Sequence, residues 1–495
     1  MARPIRLHLS WRRNGDGFDV ALAVNRLLAH GHPVWWCQKP QGAVEAGDYL
    51  LEGPAALAAR LSALGLSATR WSGRLPQGAR QLETPRICLL AGRASAYPYF
   101  AYYSLCLTRL GFSYDPVGGS DIARGALSDA NLFVLPGGFA TWGLDTSEES
   151  PGADAAVRAF LEVGGACIGS CGGAYYLSAG RPAWTGTLWA RPRYTHEYLQ
   201  SGTGIISLRL ADDLLALGCP ASVEMPYYHG PIYDDPGPGV EVAAVFDGLC
   251  LPGRLGIDNP LDARRFQREM MGRPAILRTQ GRRGRAILFS PHPEMGDLLR
   301  KYVALDGYVR RYLPIRGRPT MEDTLRAYRP LDSPAFRLVL NASHALMDTP
   351  GRRRGRAAEP QRIQTRLANP LSGLRLFTET TSRLLASFPL SDSRGHGAVV
   401  QTVAADLDGR LAPAASRLAK ALRLLSATPG REGQRILHAW NHLAAQGTAI
   451  LAQGPLSRRP VAERLMHVEL AICLWDVWRR LIEAELVLAP ARSRG

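Results

Sequence analysis

A cysteine set among glycines is the first feature of this sequence that could do covalent chemistry. Cys171 is the centre of Gly-Ser-Cys-Gly-Gly at residues 169–173, and the apolar run before it predicts a buried strand. Residues 174–178 predict the first turns of a helix, so Cys171 lies on a sharp corner. Flanking glycines let the backbone turn tightly and hold a nucleophile in a strained conformation. A helix start also favours a thiolate, so the pattern predicts a nucleophilic cysteine.

A histidine and a carboxylate follow a second apolar strand far along the chain. Residues 286–289 predict this strand, and His292 and Glu294 come directly after it. A histidine can take the proton of a thiol, and a carboxylate two residues away can hold the imidazole in one tautomer. The sequence therefore contains the three residue types of a Cys-His-Glu triad.

The two motifs, in this order, resemble the class I glutamine amidotransferase-like superfamily. The resemblance covers residues 85–313. Two further motifs, Gly-Ala-Tyr-Tyr at 173–176 and Tyr-Tyr-His-Gly at 227–230, look more like its branch named for the N-terminal domain of biotin-protein ligases. The resemblance implies a catalytic triad of Cys171, His292 and Glu294.

The resemblance also implies an oxyanion hole. In the superfamily a Pro-Gly-Gly turn supplies a backbone amide, and here that turn is at residues 136–138. Gly138 or the adjacent Phe139, together with Gly172, would be the donors. The residues expected to form the oxyanion hole or bind substrate are Gly137, Gly138, Phe139, Gly172, Tyr175, Tyr228 and His229.

The identity of the substrate depends on Tyr175 and on the tyrosine-histidine motif. Glutamine-hydrolysing members usually carry a glutamine where this chain has Tyr175, so we expect hydrolysis of another small amide or peptide bond through a thioester intermediate. Tyr228 and His229 could hold a substrate carboxylate or amide, or could simply be packing residues at a strand end. The alternative function is a catalytically silent ligand-binding or scaffold protein whose C-terminal helices dock a protein partner.

Strands alternate with helices around these motifs, which predicts an α/β fold with a doubly wound, mostly parallel sheet. The resemblance implies that this sheet is of the flavodoxin-like, glutamine amidotransferase-like type. We expect this domain at residues 85–313, after a small accessory α/β unit at 1–80. Residues 333–495 predict an all-α bundle of about four helices. Residues 276–289 predict a β-hairpin that turns at its glycines.

Composition limits the remaining function classes. The formal net charge is +16, but only three of the 59 basic residues are lysines, a bias that a GC-rich genome explains as well as a polyanion partner does. We therefore expect no nucleic-acid partner. The eight cysteines have no metal-ligand spacing, so no metal or cofactor is expected. No signal peptide or membrane-spanning run is recognisable, which predicts a bacterial cytoplasmic protein; a homo-oligomer is left open.

Overall fold

The computed structural model describes residues 4–490 except 93–94, 96–97, 139–143, 145–150, 183, 194–200, 212–213, 253–259, 282–283, 312–326, 348–368, 389–395, 428 and 454–460. The described strands form a five-stranded, a nine-stranded and a two-stranded sheet. Helices cover the sheets and make up the C-terminal third of the chain. The structure is therefore mixed α/β with a C-terminal helical region.

The N-terminal residues form a five-stranded antiparallel sheet with the order β4-β1-β3-β2-β5. Its elements are β1 (Ile5–Leu9), α1 (Asp19–Ala29), β2 (Val34–Cys37), β3 (Tyr49–Gly53), α2 (Leu57–Ala63), β4 (Thr69–Arg70) and β5 (Ala79–Gln81). Residues 5–81 therefore contain both strands and helices. Both helices contribute buried leucines to the main core.

The central sheet has nine strands in the order β12-β11-β14-β15-β16-β9-β8-β6-β7. Its parallel half consists of β6 (Ile87–Leu90), β7 (Tyr114–Val117), β8 (Leu132–Leu135), β9 (Ala166–Ser170) and β16 (Gly284–Phe289). Successive residues of β6 belong to different apolar clusters, which shows that both faces of this half are covered. The helices along it are α3 (Tyr99–Arg109), α4 (Gly119–Ala123), α5 (Ala153–Glu162) and α6 (Gly172–Leu177).

The other half of the sheet is antiparallel, so the sheet is mixed. It consists of β11 (Thr203–Leu210), β12 (Ser222–Tyr228), β14 (Val240–Pro252) and β15 (Pro274–Gly281), and α7 (Ala263–Glu269) lies beside it. A separate pair is formed by β10 (Ala190–Pro192) and β13 (Tyr233–Pro236). The predicted hairpin is confirmed, because β15 and β16 pair antiparallel.

Residues 184–262 contain five of the described strands. The pairing of β11 with β14 shifts register at two places. Such bulges interrupt the alternation of apolar and polar residues by which a strand is recognised in a sequence.

The C-terminal helices are α8 (Gly296–Arg311), α9 (Pro334–Met347), α10 (Pro370–Ala386), α11 (His396–Ala427), α12 (Arg431–Leu451) and α13 (Val461–Leu488). The four predicted bundle helices correspond to α10 to α13. Helix α9 was not predicted. Every residue of α9 after Pro334 is buried, including the polar residues Arg337, Asn341 and His344.

Candidate active site

The predicted corner between strand and helix is present at Cys171. Strand β9 ends at Ser170 and α6 starts at Gly172, and Cys171 between them has φ 48° and ψ −106°. Its N–H donates to the carbonyl of Phe289 at 2.9 Å. A Cβ on Gly172 would lie 2.2 Å from the Gly138 carbonyl oxygen, so a larger residue could not occupy the corner. Cys171 is thus held in a left-handed backbone conformation that costs energy for a non-glycine residue.

Sheet topology brings His292 and Glu294 to this corner. Strands β9 and β16 are parallel neighbours, with Ser170 paired to Phe289, so the residues that follow both strands meet at one edge. His292 Nδ1 and Glu294 Oε1 are 2.7 Å apart, and both side chains are fully buried. Burial by itself lowers the pKa of His292, but the neighbouring Glu294 and Cys171 outweigh it and raise that pKa to about 10.

Gly137 lies between the cysteine and the histidine. A Cβ on Gly137 would be 2.3 Å from His292 Cε1 and 3.3 Å from Cys171 Cβ, so the two side chains converge on this glycine. The buried His292 Nε2 has no hydrogen-bond partner of standard geometry among the described residues, although Cys171 lies near enough to raise the pKa of His292. The Cys171 thiol donates to the Tyr228 carbonyl oxygen at 3.1 Å. The second ring nitrogen is therefore available on the side of the thiol.

The oxyanion turn follows β8 at the same edge. Gly138 has φ 85°, and a Cβ there would lie 2.7 Å from the ring of Tyr99, so glycine is needed both for conformation and for space. The close approach of Gly172 to the Gly138 carbonyl brings the two glycines predicted as oxyanion donors together. Phe139, the alternative donor, lies outside the described residues.

Tyr228 and His229 reach the site at the end of β12. Their rings are 5.4 Å apart, and the Tyr228 ring meets the His292 ring edge-on at 6.5 Å. His229 is buried and has φ 54°. A Cβ on Gly230 would clash with the Ser290 carbonyl at 1.9 Å, which shows how closely this segment packs against the residues before His292.

The Tyr175 side chain lies in an apolar cluster. Its ring packs on Trp184 with a centroid distance of 5.7 Å, and both residues belong to the apolar cluster on one face of the sheet. The Tyr175 side chain is therefore buried in the packing of α6. Its expected role in substrate binding stays a prediction.

Two aromatic residues at the site were not anticipated from the sequence. Tyr99 stacks over His292, with ring centroids 6.3 Å apart and an interplanar angle of 30°. Tyr103 donates to or accepts from Ser170 at 2.5 Å, and burial followed by the charge of Glu294 raises its pKa well above the usual range. Both lie on α3, which follows the first parallel strand, so their position after a strand end was a signal that could have identified them.

Metal and membrane sites are absent from the part of the chain that the structure describes. No group of three or more His, Cys, Asp or Glu side chains among the described residues could hold a metal ion. Of the helices described, none combines the length and apolar character needed to cross a membrane.

Comparisons with known proteins give a coarse likeness only. No family model matches the chain, and no curated protein sequence matches it. A solved glutamine amidotransferase is 23% identical and aligns over 42% of this chain and 90% of its own, with a TM-score of 0.28. A ThuA-like protein from Parabacteroides merdae is 12% identical, over 54% of this chain and 90% of its own, with a TM-score of 0.31. A likeness at such scores carries no inference about chemistry, so the site is interpreted from its own geometry.

Proposed function

We propose that this protein is a cysteine-dependent amidohydrolase or peptidase-like enzyme of the class I glutamine amidotransferase-like type. The observation that carries the proposal is the strained Cys171 beside a fully buried His292–Glu294 pair, with Gly137 between them. A strained backbone on a non-glycine residue at the end of a central strand is typical of catalytic nucleophiles. The Tyr-Tyr-His-Gly motif at 227–230 supports a place near the biotin-protein ligase N-terminal-like branch.

The residues define a balanced reaction sequence. His292, whose pKa is raised, holds on Nε2 the proton that the Cys171 thiol gives up, while Nδ1–H donates to Glu294, which keeps the ring in one orientation. The thiolate attacks the amide carbon, and the backbone N–H groups of Gly138 and Gly172 stabilise the oxyanion. The imidazolium then gives its proton to the leaving amine, which departs and leaves a thioester. Water, deprotonated by His292, attacks the thioester, and the acid is released as the thiol is re-formed.

The surroundings of the nucleophile favour a small substrate other than glutamine. Cys171 is 7% exposed and His292 is fully buried, so a bulky acyl group would not reach the sulfur without rearrangement. The position at which glutamine-hydrolysing relatives carry glutamine holds Tyr175, which is packed on Trp184. A small amide or a terminal peptide bond fits these constraints best.

The test measures the alkylation of each cysteine by iodoacetamide as a function of pH, followed by mass spectrometry. We expect Cys171 to react near neutral pH and to lose that reactivity in His292→Ala. Cys250 is an internal control: it is exposed, yet burial of its thiol and the nearby Glu224 raise its pKa to about 11, so it should react only at high pH. A Cys171 that reacts no faster than Cys250, or equally fast without His292, would contradict the proposal.

A groove on the helical bundle favours the second function, the docking of a protein partner. The groove has a volume of about 800 Å³ and lies between α10 and α11. Its floor is formed by Leu371, Leu374, Ala415 and Ala419, and its rim carries Arg375, Arg383, Arg423 and Glu379. Small residues let another helix approach closely, and the excess of arginine favours a negatively charged one. The occupant we propose is an acidic amphipathic helix of a partner protein.

A further inference from the structure

A histidine next to the candidate nucleophile holds a buried hydrogen-bond donor that no described residue of the protein uses. His229 is 2% exposed, and its Nδ1 accepts the N–H of Gly202 at 2.9 Å. Since Nδ1 is the acceptor, the hydrogen of the neutral ring is on Nε2. Nε2 has no hydrogen-bond partner in the described structure. A buried donor without a partner destabilises the fold, so its retention points to a partner that arrives from outside.

The backbone at this histidine is strained in the same way as the backbone at the nucleophile. The described non-glycine residues with positive φ are Asp16, Cys171 and His229. Asp16 lies in an exposed turn, whereas the other two are neighbours at the carboxyl end of the sheet. Strain of this kind persists where the surrounding structure enforces it, and it concentrates at active sites and ligand clamps. The strain and the unused donor are independent observations on one residue.

The position of His229 relative to Cys171 follows from one hydrogen bond. The Cys171 thiol donates to the Tyr228 carbonyl oxygen at 3.1 Å, and His229 is the next residue. A single peptide unit therefore separates them, which limits the distance from the sulfur to the His229 Cα to about 6 Å. A molecule bound at Cys171 is consequently within reach of the His229 ring.

We propose that His229 is a substrate-positioning residue whose Nε2–H binds a carboxylate oxygen of the substrate, so that the substrate class is small amides bearing a carboxylate. The proposal rests on the proposed function. Two properties favour a carboxylate over a neutral oxygen. A carboxylate forms the stronger, charge-assisted hydrogen bond with a buried N–H donor. Arg265 also lies close enough that its charge, after burial, helps to lower the pKa of His229 to about 4. Arg265 is paired with Glu269 at 3.1 Å, and its positive charge still favours an anion over a cation near the ring.

Two substitutions test the roles of the two His229 ring nitrogens separately. In His229→Asn, the side-chain oxygen occupies the place of Nδ1, so it can accept the Gly202 N–H, and asparagine tolerates a positive φ. This variant lacks a donor at the place of Nε2. In His229→Gln, the side-chain amide reaches the place of Nε2 and can donate there, but the Gly202 N–H loses its acceptor. The asparagine variant therefore tests binding, and the glutamine variant tests folding.

The experiment is protection of Cys171 from iodoacetamide by N-acetylglycine, an amide with a carboxylate, in the full-length protein. Each variant is normalised to its own rate without the probe. We expect N-acetylglycine to protect the wild type at a concentration at least tenfold lower than the neutral N-acetylglycinamide. The preference should disappear in His229→Asn and be largely retained in His229→Gln. In thermal melting, the glutamine variant should have the lower melting temperature, although it keeps the preference for N-acetylglycine that the asparagine variant loses.

The outcomes distinguish this inference from the proposed function. If Cys171 reacts selectively and depends on His292, but N-acetylglycine gives no protection or protects the asparagine variant equally well, only the role of His229 is overturned. If Cys171 is unreactive at neutral pH in the wild type, the proposed function fails first, and the substrate class proposed with it. If His229→Asn melts far below His229→Gln, the ring is a structural element and the positioning role is also overturned.

Discussion

Gly137 is the residue on which the contact between nucleophile and base depends most directly. A methyl group at this position would lie 2.3 Å from His292 Cε1, which is closer than non-bonded atoms approach. In Gly137→Ala we therefore expect the imidazole to be displaced and the alkylation rate of Cys171 at neutral pH to fall by about 100-fold, since misplacement of a catalytic group by about 1 Å has this effect. Mass spectrometry of alkylated Cys171 measures it.

A second glycine provides the matched control for that substitution. Gly409 lies inside α11, is exposed, and has no atom within 4 Å of the place that an alanine methyl group would occupy. Gly409→Ala should leave Cys171 reactivity unchanged and stabilise the protein by about 0.5–1 kcal/mol, because alanine loses less conformational entropy in a helix. Equal reactivity in the two alanine variants would show that Gly137 does not govern the approach of His292 to Cys171.

The His292–Glu294 pair predicts a specific dependence of stability on pH. The pKa of His292 is raised to about 10, above the ordinary value of 6.5, so its protonated form stabilises the fold. That contribution is fully present below pH 6.5 and is lost as pH rises to about 10. One pKa unit corresponds to about 1.4 kcal/mol, so the difference in unfolding free energy between wild type and His292→Gln should shrink by several kcal/mol over this range.

Urea denaturation at pH 6.5, 8 and 10 measures this difference. His442→Gln is the control, because burial and His438 lower the pKa of His442 to about 4 and its contribution should not change above pH 6.5. A stability difference for His292→Gln that stays constant from pH 6.5 to 10 would mean that His292 is neutral throughout.

At the scale of elements, the sequence predicted the parts whose order and periodicity are local. The strand before Cys171 and the strand before His292 could be recognised from their apolar runs, and the carboxyl ends of parallel strands lie at one edge of a sheet. The structure adds that the two strands, β9 and β16, are parallel neighbours. Strands β11 and β14 could not be predicted, since bulges in their pairing interrupt the pattern.

The candidate site could also be predicted only where its residues directly follow strands. Cys171, His292 and the glycine turn at 136–138 follow strands and could be assembled from strand order alone. The left-handed backbone of His229 could not, because its contacts are non-local: His229 exchanges hydrogen bonds with Gly202, and the following Gly230 packs against Ser290. For Tyr175, the place in a family motif predicted contact with substrate. That role stays a prediction, and the structure adds that the Tyr175 ring packs on Trp184.

The groove between α10 and α11 gives a prediction at this scale. We expect a synthetic helical peptide with leucine on one face and glutamate on the other to bind the full-length protein in fluorescence anisotropy. A combined Arg383→Glu and Arg423→Glu substitution should weaken that binding at least tenfold, since a like-charge contact replaces an attractive one. Arg431→Glu, an exposed arginine at the start of α12, is the control.

Two outcomes of this titration would contradict the docking role. One is equal binding by the double variant and Arg431→Glu. The other is equal binding of a peptide with lysine in place of glutamate. If a single-stranded RNA oligonucleotide binds in preference to the peptide, the occupant of the groove is a polyanion and not an acidic helix. The aliphatic floor of the groove leads us to expect the helix.

At the scale of the whole molecule, the three units expected from the sequence share one core. The main apolar cluster contains residues of β1 and α1, of the central sheet, and of all four bundle helices. Helix α13 packs against α3 beside the sheet and against α1 of the N-terminal unit. Each unit therefore covers apolar surface of the others, and the division at 1–80, 85–313 and 333–495 remains a proposal about sequence rather than about independent folding.

Arg26 allows the continuity of the core across the three units to be tested. Its guanidinium is buried and donates to the Gly111 carbonyl at 2.8 Å, to Ser113, and to Glu485 of α13 at 3.2 Å, so one side chain joins all three units. Arg26→Met leaves Glu485 buried with fewer partners, which should lower the unfolding free energy by about 3–5 kcal/mol. Arg375→Met, at an exposed ion pair, should change the unfolding free energy by less than about 0.5 kcal/mol.

Because the core is continuous, calorimetry should record a single transition for the wild type and a single transition at lower temperature for Arg26→Met. Separate transitions in the wild type would instead mean that the units fold independently and that Arg26 only joins finished domains.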